Sequence, residues 1–163
     1  MATEHITKRG VLIVDPLPNM AALVATMLRG IGRRDIRESY TAQQAMAELR
    51  RRAFEVLVID DHLADIDAVD FVRRLRASTD CQNRYIPIVM MAAAPGAARI
   101  AAARDAGVTE FLRKPFAASH LQSRLDNIEA NPRGFIETGN YMGPDRRRRT
   151  VETGTERRAL DKG

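Results

Sequence analysis

Hydrophobic positions along the chain switch repeatedly between continuous apolar runs and a spacing of three and four residues. Val11-Leu12-Ile13-Val14 is a strand-length apolar run that ends at Asp15. Beyond Pro16 and Pro18, Leu17, Met20, Leu23, Val24, Met27, Leu28 and Ile31 recur at helical spacing up to Gly32, which predicts an amphipathic helix. Ile36 to Tyr40 reads as a second strand. Thr41 can cap a helix that buries Ala45, Met46 and Leu49, and Arg50, Arg51 and Arg52 in its last turn complement the helix dipole. Val56-Leu57-Val58-Ile59 is apolar throughout and stops at Asp60-Asp61, as in strands covered on both faces by helices. A helix from Asp67 to Ala77 turns Val69, Val72 and Leu75 inward and Arg73, Arg74 and Arg76 outward. Ile86 to Ala92 is a fourth strand, Pro95 opens an alanine-rich helix that Gly107 stops, and Val108 to Arg113 is a fifth strand. A last helix buries Leu121, Leu125 and Ile128. Five alternating units predict a doubly wound α/β fold with a five-stranded parallel sheet, and short right-handed crossovers give the order 2-1-3-4-5.

The periodicity ends at Ile128, so residues 1–130 are expected to form the domain. Residues 131–163 carry Gly139, Gly143, Pro144 and the clusters Arg146 to Arg149 and Arg157-Arg158, which predicts a basic tail, extended or disordered. That stretch has 8 Lys/Arg and 5 Asp/Glu, leaving 18 against 16 on residues 1–130, so the net charge of +5 sits mostly in the tail. Nucleic-acid binding is therefore not expected of the folded part, and no aromatic residues interleave with the arginines. The tail is expected to be dispensable for folding and to contribute to partner recognition. No run is long and apolar enough for a membrane span, and the N-terminus has no apolar signal core. Cys81 is the only cysteine, which excludes an internal disulfide and fits a cytoplasmic protein.

Candidate chemistry lies at the strand ends, where open α/β sheets gather their functional groups. Asp15 ends the first strand, Asp60 and Asp61 the third, and Lys114 the fifth. Clustered carboxylates repel one another, a hard cation such as Mg²⁺ relieves that repulsion, and a lysine beside them can steady a phosphoryl group. Acids at strand ends also serve simply as caps for the next helix or turn. His5, His62 and His120 are too scattered for a metal site, and no Gly-rich phosphate loop, nucleophile elbow or zinc spacing is present, so a metabolic enzyme is not expected.

The runs Val11 to Asp15 and Val56 to Asp60, followed by Lys114-Pro115-Phe116, resemble the landmarks of bacterial response-regulator receiver domains, in order and in spacing, over about residues 9–130. The resemblance implies the flavodoxin-like receiver fold and a stand-alone response regulator. It implies that Asp60 is the phospho-acceptor, that Asp15, Asp60 and the backbone carbonyl of His62 hold Mg²⁺, and that Lys114 contacts the phosphoryl group. Phe111 falls at the family's switch aromatic, and the Lys114-Pro115 bond is expected to be cis. Asp61 competes for the acceptor role, but Asp67 stands where the family commonly has an acid, seven residues after Asp60. The partners implied are a sensor histidine kinase or phosphotransfer protein and a downstream protein, reached through the face formed by the fourth helix, fifth strand and fifth helix.

Four positions depart from the family pattern. Pro16 replaces the second acid after the first strand, which predicts a weakened magnesium site. Ala92 stands at the other switch position, where the family has a threonine or serine, and Ala64 and Ala68 replace a proline and a glycine after the acceptor. A hydrogen bond to a charged group contributes about 1.5–3 kcal/mol, so the missing hydroxyl predicts coupling weaker by about one to two powers of ten. The alternatives are a phosphorylation-independent pseudo-receiver and, in another class, a nucleic-acid binder acting through the tail.

Overall fold

The computed structural model describes residues 10–130, together with the backbone of 135–137 and 142–144. Five strands, β1 (Val11–Val14), β2 (Ile36–Ser39), β3 (Val56–Asp60), β4 (Ile88–Ala93) and β5 (Glu110–Lys114), alternate with five helices, α1 (Pro18–Gly30), α2 (Ala42–Arg51), α3 (Ala68–Ala77), α4 (Ala97–Ala106) and α5 (Ala118–Ala130). All strand pairs in this sheet are parallel and the order is β2-β1-β3-β4-β5, as the alternation predicts. The central strands β1 and β3 are buried along their whole length, because α2, α3 and α4 cover one face of the sheet and α1 and α5 the other.

Local chemistry sets the helix ends. Pro18 opens α1, where its missing N–H costs nothing. The Thr41 hydroxyl accepts from Gln44 N–H at 3.1 Å and caps α2. Asp67 caps α3 by accepting from Val69 N–H at 2.8 Å and Asp70 N–H at 3.1 Å. Gly107 closes α4 with φ 113°, a left-handed conformation that glycine adopts without a Cβ clash.

Two strands start later than the apolar runs suggest. β4 begins at Ile88 rather than Ile86, since Pro87 has no N–H for a ladder. β5 begins at Glu110 rather than Val108. Arg76 is a clearer correction. It was expected to face solvent, yet it is 1% exposed. Seven residues after Val69, it lies on the inward face of α3, and its guanidinium donates to the carbonyls of Arg84 and Gly107 at 2.7 Å each.

Within the stretch read as a tail, β6 (Phe135–Glu137) and β7 (Met142–Pro144) pair antiparallel, and β7 runs alongside α3 and α4. The periodicity gave no sign of that pairing. His5 and the arginine clusters at 146–149 and 157–158 lie outside the described residues.

Candidate functional site

The carboxyl ends of β1, β3 and β5 bring three charged side chains together. Asp15 follows β1, Asp60 is the last residue of β3, and Lys114 is the last of β5. Asp60 is 6% exposed. Its Oδ1 takes the Lys114 ammonium in an ion pair, and its Oδ2 accepts from the His62 backbone N–H at 2.8 Å. The His62 ring itself points into solvent, so only the backbone of that residue belongs to the site. The Lys114-Pro115 peptide is cis, as expected.

Asp15 is 1% exposed. Its Oδ1 accepts from Leu17 N–H at 2.9 Å, while its Oδ2 is buried without a hydrogen-bond partner. Burial pushes the Asp15 carboxyl above its ordinary value. The Leu17 N–H opposes that rise, the charge of Asp60 adds to it, and Lys114 opposes it. A buried carboxylate oxygen with no donor, beside a second carboxylate, is suited to a cation or a proton.

The neighbouring acids face elsewhere. Asp61 and Asp67 both bind Arg99 of α4. Arg99 Nε and Nη2 each lie 2.7 Å from Asp61 Oδ1, and Nη1 lies 2.9 Å from Asp67 Oδ2. Burial pushes the Asp67 carboxyl up, but the N–H of Asp70, Arg99 and the N–H of Val69 together outweigh it and hold the carboxyl below its ordinary value. Neither acid, therefore, stands in for the one that Pro16 replaces. Among the described residues, no group of three or more acid, histidine or cysteine side chains is arranged to hold a metal.

The two residues that the resemblance puts at switch positions lie on adjacent strands. Ala92 is buried on β4 opposite Arg113, and Phe111 is half-buried on β5 opposite Met90, against the core beneath α2, α3 and α4. No hydroxyl is available at position 92.

Sequence reasoning missed two residues here. Asp65, in the loop after β3, accepts from Ala42 N–H at 3.0 Å and Gln43 N–H at 3.1 Å, tying that loop to the start of α2. Arg99 lies in the first turn of the alanine-rich α4. The available signal was its place in the first helical turn, where a cation opposes the helix dipole and an acidic partner is to be sought.

The model of the response regulator receiver domain family matches residues 11–126. The chemotaxis protein CheY-3 of Vibrio cholerae is 30% identical over 118 residues, covering 72% of this chain and 89% of that protein. The chemotaxis protein CheY of Pseudomonas aeruginosa is 29% identical over 118 residues, covering 72% of this chain and 94% of its own length. Among solved structures, a response regulator from Chloroflexus aurantiacus superposes with a TM-score of 0.69 at 27% identity, over 76% of this chain and 99% of that one. The receiver domain of a sensor histidine kinase from Pseudomonas aeruginosa, with a magnesium ion in its active-site cleft, gives 0.66 at 25% identity, over 74% and 97%. Among the described residues, no helix is long and apolar enough to cross a membrane. The strand order, the acids and lysine at the strand ends, and a family match over most of its length agree: this chain belongs to the response regulator receiver domain family.

Proposed function

We propose that this receiver domain accepts a phosphoryl group on Asp60 from a sensor histidine kinase or phosphotransfer protein and signals to a downstream protein through direct contacts. The observation that carries the reading is the buried Asp60 carboxylate, held between the Lys114 ammonium and the His62 N–H beside the unpartnered oxygen of Asp15. In the transfer an oxygen of Asp60 attacks phosphorus. The bond from phosphorus to the donor nitrogen breaks, and its electron pair leaves with the imidazole. The backbone N–H of His62 orients the carboxylate, and Lys114, already on Asp60 Oδ1, is placed to offset charge on the phosphoryl oxygens.

The donor set fits Mg²⁺, a hard cation bound through one or two carboxylates and otherwise by water. Asp15 Oδ2, Asp60 and the His62 carbonyl would hold it, and when bound it supplies charge neutralisation for the incoming phosphoryl group. Pro16, together with the engagement of Asp61 and Asp67 by Arg99, supports a weakened magnesium site. The face of α4, β5 and α5 is the surface we assign to the downstream partner.

The test is incubation of the purified chain with a small phosphodonor and Mg²⁺, followed by intact mass. One added phosphoryl group is expected on the wild type and on Asp61→Asn, and none on Asp60→Asn. One observation favours a second reading, the phosphorylation-independent interaction module: Ala92, 2% exposed, brings no hydroxyl to the end of β4. That reading predicts no label from any donor, and equal partner binding by the wild type and Asp60→Ala.

A further inference from the structure

α4 is held by polar contacts at both ends and by little apolar packing between them. It buries only Ala103 and Ala106. At its C-terminal end, Arg76 donates to the Gly107 carbonyl at 2.7 Å from a buried position, which pins that end to α3. At its N-terminal end, Arg99 bridges Asp61, the residue next to Asp60, and Asp67, the cap of α3. The fork also approaches the Asp61 carbonyl, with Nη2 at 3.3 Å. The loop entering α4 is strained, because Ala94 has φ 43° directly before Pro95. A non-glycine residue in that region costs energy, and the residue before proline ordinarily prefers extended backbone.

Together these features make one movable end. The C-terminal end is fixed by a buried arginine, while strain and thin packing leave the N-terminal turn dependent on the Arg99 ion pairs. Asp67 is itself held by two α3 amides, so it is the stationary side of the clamp. Asp61 is the responsive side. It is joined covalently to Asp60, and its own N–H donates to the Met91 carbonyl of β4 at 2.8 Å.

We infer that Arg99 is a positioning residue that couples α4 to the acceptor loop through Asp61 and Asp67, at the point where Ala92 leaves no hydroxyl to do so. This deepens the reading of Asp60 as the phosphoryl acceptor and rests on it. A phosphoryl group on Asp60 adds charge and bulk one residue from Asp61. Displacement of the Asp61 carboxylate or carbonyl reaches Arg99 directly, and α4 has too little apolar contact to resist. The fork geometry matters, since a lysine offers a point charge but not two donors on one oxygen and a third on Asp67.

Hydrogen exchange on the full chain tests this, with the wild type, Arg99→Gln and Arg99→Lys, each with and without beryllofluoride and Mg²⁺ as the phosphoryl mimic. The amides of Ile100 to Ala103 report the first turn of α4, Ile100 N–H being bonded to the Gly96 carbonyl at 3.1 Å. Without the mimic, they are expected to exchange about three- to tenfold faster in Arg99→Gln than in the wild type, with Arg99→Lys between them and the β3 amides unchanged. With the mimic, the exchange of α4 is expected to change in the wild type and to stay constant in Arg99→Gln, although fluorine NMR shows the mimic bound to both. Equal exchange in the unliganded proteins, or an equal response of α4 to the mimic in both, overturns the inference. If the mimic fails to bind the wild type, the acceptor reading and the coupling to it fall together, while the unliganded comparison still decides whether Arg99 holds the helix.

Discussion

α3 and α4 have ten residues each and cover the same face of the sheet, but they are held in different ways. α3 buries Phe71, Val72 and Leu75 along its length, and Arg76 closes the row. α4 buries two alanines, and arginines hold its ends. Apolar burial scales with area and is indifferent to small changes of charge. Ion pairs of partly exposed groups are weaker and respond to a new charge nearby. The helix fixed by packing thus supplies the frame, and on the proposed reading the helix fixed by charge is the one that phosphorylation of Asp60 would move.

The largest expected effect separates the two helices by stability. Phe71→Ala should lower the unfolding free energy by about 3–5 kcal/mol, the usual cost of emptying a buried aromatic site. Ile100→Ala in α4 should cost less than about 1 kcal/mol, because that side chain is only half-buried. Denaturant unfolding measures both, and similar losses would erase the contrast.

A smaller effect is expected at the C-terminal pin of α4. Arg76→Met fills much of the same volume but leaves the carbonyls of Arg84 and Gly107 without their guanidinium donor. The expected cost is about 2–3 kcal/mol. A neutral result would mean that water or neighbouring donors replace the guanidinium and that the pin is dispensable.

The acids should respond to pH with opposite signs. The folded-state carboxyl of Asp67 lies below its ordinary value of 3.8, so its contribution is complete above that value and is lost as pH falls through the depressed one. Asp67→Asn keeps an oxygen for the cap, and its stability curve should be flatter in acid than the wild type's. Asp15 is raised from 3.8, so its contribution is present below that value and is lost as pH rises through the folded one. Asp15→Asn should therefore make the metal-free protein more stable at neutral pH, while weakening any dependence of labelling on Mg²⁺. Thermal melts across pH check both signs.

The smallest expected effect concerns the segment after α5. Shortening the chain to residues 1–130 removes β6 and β7 but no residue of the five-stranded sheet. Its thermal midpoint should stay within about 3 °C of the full chain's. Since β7 runs alongside α4, faster exchange on that helix is the one local change expected.

Sequence alone carried the sheet and the cluster of charged side chains at its strand ends because both depend on short-range signals. Continuous apolar runs mark parallel strands buried on both faces, and an acid or lysine at the end of such a run lies at the functional edge whatever the loops do. Asp15, Asp60 and Lys114 were legible for that reason. Arg76 was not, since its burial depends on carbonyls of Arg84 and Gly107 that only the folded chain brings near. Arg99 sits 38 residues from Asp61 and 32 from Asp67, and no periodicity reports that distance. Nor does the sequence show that Asp61 and Asp67 share one partner, whereas the structure commits both to Arg99.

The central claim is that Asp60, and no neighbouring acid, forms the acyl phosphate. Borohydride reduces an aspartyl phosphate to homoserine and so marks the modified residue permanently. After treatment with a small phosphodonor and Mg²⁺, reduction and peptide fragmentation should place homoserine at position 60 alone. Homoserine at position 61 or 67, or its absence from a sample whose intact mass shows a phosphoryl group, would contradict the account.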